Sequence, residues 1–93
     1  MINATDDELV KLQDYASLFL TPAEIALLLD WDAGVLLKMI KNKKTDISKT
    51  YNKGKLISKI ELRRNTIKMA KHGSPQAEEY CDKYQRLQDN AEI

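Results

Sequence analysis

The chain has little from which to build a disulfide, a metal centre or a catalytic dyad. Of its 93 residues one is cysteine, Cys81, and one is histidine, His72. A lone cysteine closes no intrachain bridge, which suits a reducing compartment. Cys81 falls between Ala77 and Tyr84 on the apolar side of a helical stretch and reads as a buried structural thiol, because a nucleophile needs a base beside it. His72 lies nine residues away, at a helix end. One His and one Cys do not make a zinc site. Nor is there a glycine-rich phosphate loop, so the expectation is a non-enzyme with no metal and no cofactor.

Long apolar runs are missing too. No stretch approaches the ~20 residues that span a membrane, and no signal-peptide core follows Met1. The expectation is a cytoplasmic protein with no membrane partner. Only three glycines and two prolines interrupt the chain, and no segment alternates apolar and polar residues with period two, which argues against sheet.

What remains is helical. With 43% hydrophobic and 31% charged residues, the composition is that of a soluble folded domain. A chain of this length buries roughly 60–70% of its unfolded surface, enough for a thin core. The fold class expected is all-α, with about five helices in a single domain covering residues 1–93. Residues 1–42 form a helix-turn-helix portion, and residues 46–91 pair a long helix with a C-terminal one as an αα-hairpin.

The start and stop signals support this division. Thr5-Asp6-Asp7-Glu8 has the capping-box form, and Leu9, Leu12, Ala16 and Phe19 follow at helical spacing, predicting a helix over Asp6 to Leu18. Thr21-Pro22-Ala23-Glu24 repeats the box, with proline at the first helical position. Asp32 can cap a third helix to about Lys41, and Asp46 a fourth to Lys71, where His72-Gly73 supplies the stop. Ser74-Pro75 opens a fifth, with Ala77, Tyr80, Cys81, Tyr84 and Leu87 on one face. Asn42-Lys43-Lys44-Thr45 is the one break that reads as a hinge.

A net charge of +1 conceals a strong segregation: −6 over residues 1–37, +10 over residues 38–72 and −3 over residues 73–93. Such a pattern speaks of partners rather than fold. A polyanion suits the middle; equally, the acidic ends of one copy suit the basic middle of another.

The stretch from Thr21 to Met39 fits a helix-turn-helix scaffold. If Ala26 is the small residue at the crossing, then Ile25, Leu29, Trp31, Leu36 and Met39 should be buried, and all are apolar. Asp30 takes the turn position where a left-handed backbone is needed. As a reader of bases the second helix is poor. Its outward positions are Asp32, Ala33, Gly34 and Leu37, where Arg, Lys, Asn or Gln would be needed. Lysines come later: Lys38, Lys41, Lys43, Lys44, then Lys49, Lys53 and Lys55. These are the candidate DNA-binding residues, suited to phosphates rather than base edges. A solvated, lysine-rich helix end would account for the first two but not for the run beyond them.

The helix from Asp46 to Lys71 is 26 residues, or roughly 39 Å at about 1.5 Å per residue. Ile47, Tyr51, Leu62 and Met69 share one side with the small residues Gly54 and Ser58; Leu56, Ile60 and Ile67 lie nearly opposite. Two stripes ask for burial on two sides. Leu56, Ile60 and Ile67 are therefore the candidate oligomer interface, with Gly54 and Ser58 small enough to admit another helix closely. The competing reading is that the fifth helix alone covers the second stripe.

The run Tyr51-Asn52-Lys53-Gly54-Lys55-Leu56, followed by Glu61-Leu62-Arg63, Ile67, Ala70-Lys71 and Gly73-Ser74-Pro75-Gln76-Ala77, resembles the small subunits of phage and prophage terminases or proteins close to them. The resemblance covers about Thr21 to Tyr84. It implies a ring-forming adaptor in the host bacterial cytoplasm that binds double-stranded viral DNA and presents it to a large terminase subunit. That large subunit carries the ATPase and nuclease. Two alternatives stand beside it: a phage assembly protein that reads no DNA, and a small helix-turn-helix transcription regulator, for which the reading helix is ill suited.

Overall fold

The structure is a computed structural model and describes residues 1–92. Five helices follow one another with short turns: α1 (Asp6–Ser17), α2 (Pro22–Leu29), α3 (Ala33–Lys41), α4 (Asp46–Lys71) and α5 (Pro75–Ala91). The chain is all-α, 78% helical, with no strand among the described residues.

The helices begin where side chains satisfy their free N–H groups. Thr5 and Glu8 close a reciprocal box: the Glu8 N–H donates to Thr5 Oγ1 at 3.1 Å and the Thr5 N–H to Glu8 Oε1 at 3.0 Å. Thr21 and Glu24 repeat it at 3.2 and 2.9 Å, and Ser74 caps α5 through the Ala77 N–H at 3.3 Å. Each such cap contributes about 1 kcal/mol. At α4 the cap is Thr45, not Asp46 as the sequence suggested. Thr45 Oγ1 accepts from the Ser48 N–H at 3.1 Å, while Asp46 is the first helical residue, placed to complement the helix dipole.

Many helices end on a residue in the left-handed conformation, and three of these do. Gly73 (φ 92) ends α4, and Asp30 (φ 56) ends α2. The end of α1 uses Phe19 at φ 65, with the Phe19 N–H on the Ala16 carbonyl and the Leu20 N–H on the Tyr15 carbonyl, both at 3.2 Å. For a side chain with a Cβ this backbone costs about 1–2 kcal/mol.

The chain divides into two compact units, Met1–Ser58 and Lys59–Ile93, with the division inside α4 rather than at the 42–45 turn. In the first unit Leu12, Ile25, Ala26, Leu36 and Ile47 form the buried core, and Leu29, Trp31, Met39 and Tyr51 pack half-buried around it. The expected scaffold positions thus all face inward. The Trp31 indole N–H donates to Glu8 Oε2 at 3.1 Å, tying the α2–α3 turn to α1.

The Gly54–Ser58 reading is corrected. The helix admitted there is α1 of the same chain. A Cβ on Gly54 would stand 2.3 Å from the Gln13 carbonyl oxygen and 2.8 Å from Ala16 Cβ, and Ser58 Oγ donates to the Ser17 carbonyl at the end of α1.

In the second unit the last turns of α4 and the whole of α5 make a hairpin joined by His72-Gly73-Ser74. Ala77 is its buried apolar residue, and the Arg63 guanidinium lies over the Tyr84 ring at 4.4 Å. Cys81, expected to be buried, is only half-buried. Leu62 and Met69, expected to continue the buried stripe of Ile47 and Tyr51, are about half exposed.

Candidate nucleic-acid interface

The lysines are presented by the first unit, around the α3–α4 turn. Lys38 and Lys41 lie on the outward face of α3, which leaves Leu36 to the core. Lys43 and Lys44 occupy the turn itself. This turn, read from sequence as a hinge, is held by side chains. Asn42 Oδ1 accepts from the Lys44 N–H at 3.2 Å, and Thr45 Oγ1 donates to the Met39 carbonyl at 2.8 Å. Ser48, fully buried, donates its hydroxyl to the Ile40 carbonyl at 2.6 Å. The last carbonyls of α3 are thus satisfied by the first turn of α4, and the two lysines are fixed between the helices.

On α4, Lys49 and Lys53 stand one turn apart on the solvent side. Lys55 does not join them. Two residues on from Lys53, it lies on another flank of the helix with its ammonium 5.5 Å from the Tyr51 ring centre. All seven lysines are exposed. The only ion pair among the described residues joins Arg86 to Asp82 on α5, so none of the seven is paired with an acid among those residues. Gly54, between Lys53 and Lys55, faces α1; packing of the glycine turns both flanking lysines outward.

The start of α3 explains its poor reading chemistry. Asp32 Oδ1 accepts from the Val35 N–H at 2.9 Å. A helix N-terminus attracts phosphate, but here the carboxylate of the chain itself occupies that position. Gly34 leaves room for it: a Cβ there would stand 3.2 Å from Asp32 Oδ1. Two other acids are held in place by caps. The Thr5 backbone N–H, foremost, holds Glu8 below its ordinary pKa; burial, next in size, pushes the other way, and the Trp31 indole adds to the lowering. The Thr21 N–H does the same for Glu24.

The proposed oligomer residues fall on both units. Leu56, on the first, is 54% exposed; Ile60 and Ile67, on the second, are 43% and 45% exposed. Within the second unit the α5 helix therefore leaves Ile60 and Ile67 largely open. Sequence reasoning missed the residues that build the turn, Asn42, Thr45 and Ser48. The signal was present as Thr45 immediately before Asp46, with Ser48 three positions on.

Comparison of the chain with known protein families, with curated proteins and with solved structures found no match. No helix of the described residues is long and apolar enough to cross a membrane.

Proposed function

We propose that the protein binds double-stranded DNA without enzymatic chemistry, through phosphate contacts from the lysines around the α3–α4 turn. The observation that carries this reading is the set of exposed lysines, Lys38, Lys41, Lys43, Lys44, Lys49 and Lys53, around a hydrogen-bonded turn, with no acidic partner among the described residues. Lys55 is the weaker member, engaged with Tyr51. An Asp-capped α3 argues for positioning along the backbone over reading of bases. A role as an adaptor of phage genome packaging, delivering DNA to a large terminase subunit, rests on the likeness of the Tyr51–Leu56 and Gly73–Ala77 segments to small terminase subunits. Within the first of these segments Gly54 packs against α1; the likeness itself assigns no base-reading role to Tyr51, Lys53 or Lys55.

Affinity built on phosphates falls with salt, by about 0.9 in the log–log slope per phosphate neutralised. Fluorescence anisotropy on two unrelated duplexes across a salt series should show equal binding to both. Replacing Lys43 and Lys44 with Ala should weaken both alike and flatten the slope by up to about 2 per protomer. Unchanged affinity and slope would move the DNA surface elsewhere and leave the assembly-protein reading in its place.

A further inference from the structure

The helix α2, Pro-Ala-Glu-Ile-Ala-Leu-Leu-Leu, is apolar nearly all round. A helix of that kind is normally buried on every side. Here Ile25, Ala26 and Leu29 face the core, while Leu27 is 80% and Leu28 55% exposed. Just before α2, Leu18 and Phe19 are also exposed, at 61% and 69%. Phe19 holds a left-handed backbone that glycine would take without strain, and its side chain, 69% exposed, gains little burial in return. The charges nearby are of one sign. Asp14, Glu24 and Asp30 are exposed beside these residues, and between Asp6 and Asp32 the only base is Lys11.

We infer that this acidic, apolar face of α1–α2 docks on the basic, apolar stripe of α4 in a second copy of the chain, head to tail. The receiving surface lies in the second unit. Ile67 lines an open hollow of about 320 Å³ whose other walls are Arg64, Lys68 and Lys71, and Ile60 lies two turns earlier on the same side. An apolar floor rimmed by three cations is complementary to Phe19 and Leu27 flanked by carboxylates. Pairing the stripe with itself is disfavoured. Residues 59–71 carry five cations and one acid, so a two-fold contact would set these like charges against one another. A contact between two different faces propagates, closing into a ring or extending as a filament. It leaves the lysines of the α3–α4 turn free and does not depend on DNA binding.

The test uses full-length protein without DNA, by sedimentation velocity at tens of micromolar. Leu27→Lys spoils the acidic face and Ile67→Glu the basic one; both sites are exposed, and circular dichroism checks folding. Each variant alone should be monomeric. Mixed, they should form a one-to-one heterodimer and stop there, because each retains the face the other lacks. Self-assembly of Leu27→Lys, absence of the heterodimer, or a monomeric wild type would each overturn the head-to-tail contact. Phe19→Gly supplies a second measurement. It should weaken assembly by roughly tenfold or more while the melting temperature holds or rises, since the left-handed backbone is relieved. A lower melting temperature with assembly intact would make Phe19 a residue of the fold and refute its place in the interface.

Discussion

Gly54→Ala is the most sensitive probe of how α4 is seated. Alanine is the better helix former by about 0.8–1 kcal/mol, so on an open face this change stabilises. At position 54 the new methyl would stand 2.3 Å from the Gln13 carbonyl oxygen and 2.8 Å from Ala16 Cβ. Ordinary contact begins near 3.5 Å, so α1 must retreat by about 1 Å. The obstacle is backbone, which cannot rotate aside, and α1 also carries Leu12 into the core and Ser17 to the hydroxyl of Ser58. Overpacking of this kind costs about 1–3 kcal/mol, toward the upper end where backbone must move. The net effect is a loss of about 2 kcal/mol, or roughly 10 °C in Tm. The other two glycines separate the causes. Gly34→Ala meets only the capping Asp32 carboxylate, at 3.2 Å, a side chain that needs to give by a few tenths of an ångström, and should be near neutral, while Gly73→Ala meets nothing within 4 Å but sits at φ +92 and should lose about 1 kcal/mol. Trp31, the single tryptophan, packs against the core of the first unit, so urea titration followed by its fluorescence reads that unit directly. A Gly54→Ala protein as stable as wild type would refute the close approach of α1 and α4.

Thr45→Val keeps the shape of the side chain but removes the acceptor for the Ser48 N–H and the donor to Met39; about 1–2 kcal/mol should be lost in the same titration. The capping glutamates predict an acid response. Their folded pKa values lie below the ordinary 4.5, so their contribution is present above that pH and is lost as pH falls through the lowered folded values. Urea midpoints from pH 7 to pH 3 should decline less steeply for Glu8→Gln combined with Glu24→Gln than for wild type, and parallel curves would remove the carboxylates from the account. Asp32→Asn keeps a capping oxygen while removing a negative charge from the front of α3. It should tighten binding to any duplex in the anisotropy assay, and no gain would mean that this end of α3 stays away from DNA.

The fold was largely legible because its signals are local. Thr5, Thr21 and Ser74 announce their helices by hydrogen bonds three residues long, and Gly73 and Asp30 announce stops by the backbone they tolerate. Where the announcement failed, the reason was also local. Thr45 and Asp46 are both good capping residues, and only the tertiary bond from Thr45 to the Met39 carbonyl, which fixes the angle between α3 and α4, favours the first. Phe19 gave no warning at all: nothing in the pattern Leu-Phe-Leu says that a phenylalanine will take the place of glycine.

The site was legible in composition but not in arrangement. A run of lysines from Lys38 to Lys55 is plain in the sequence, yet helical spacing sends Lys55 away from Lys49 and Lys53, and the turn between α3 and α4 decides where Lys43 and Lys44 stand. The two apolar stripes of α4 illustrate the larger limit. Periodicity gives the faces of a helix without saying what lies against them. Small residues at Gly54 and Ser58 indicate a close neighbour, and either α1 or another subunit satisfies that demand. The carbonyls at the end of α1 decide it, because Ser58 gives the last of them a partner that leaving the groove open would not. Once α1 is seated on that face, Leu27 and Leu28 of α2 and Ile60 and Ile67 of α4 stay exposed, and these are the faces that the proposed head-to-tail contact would use.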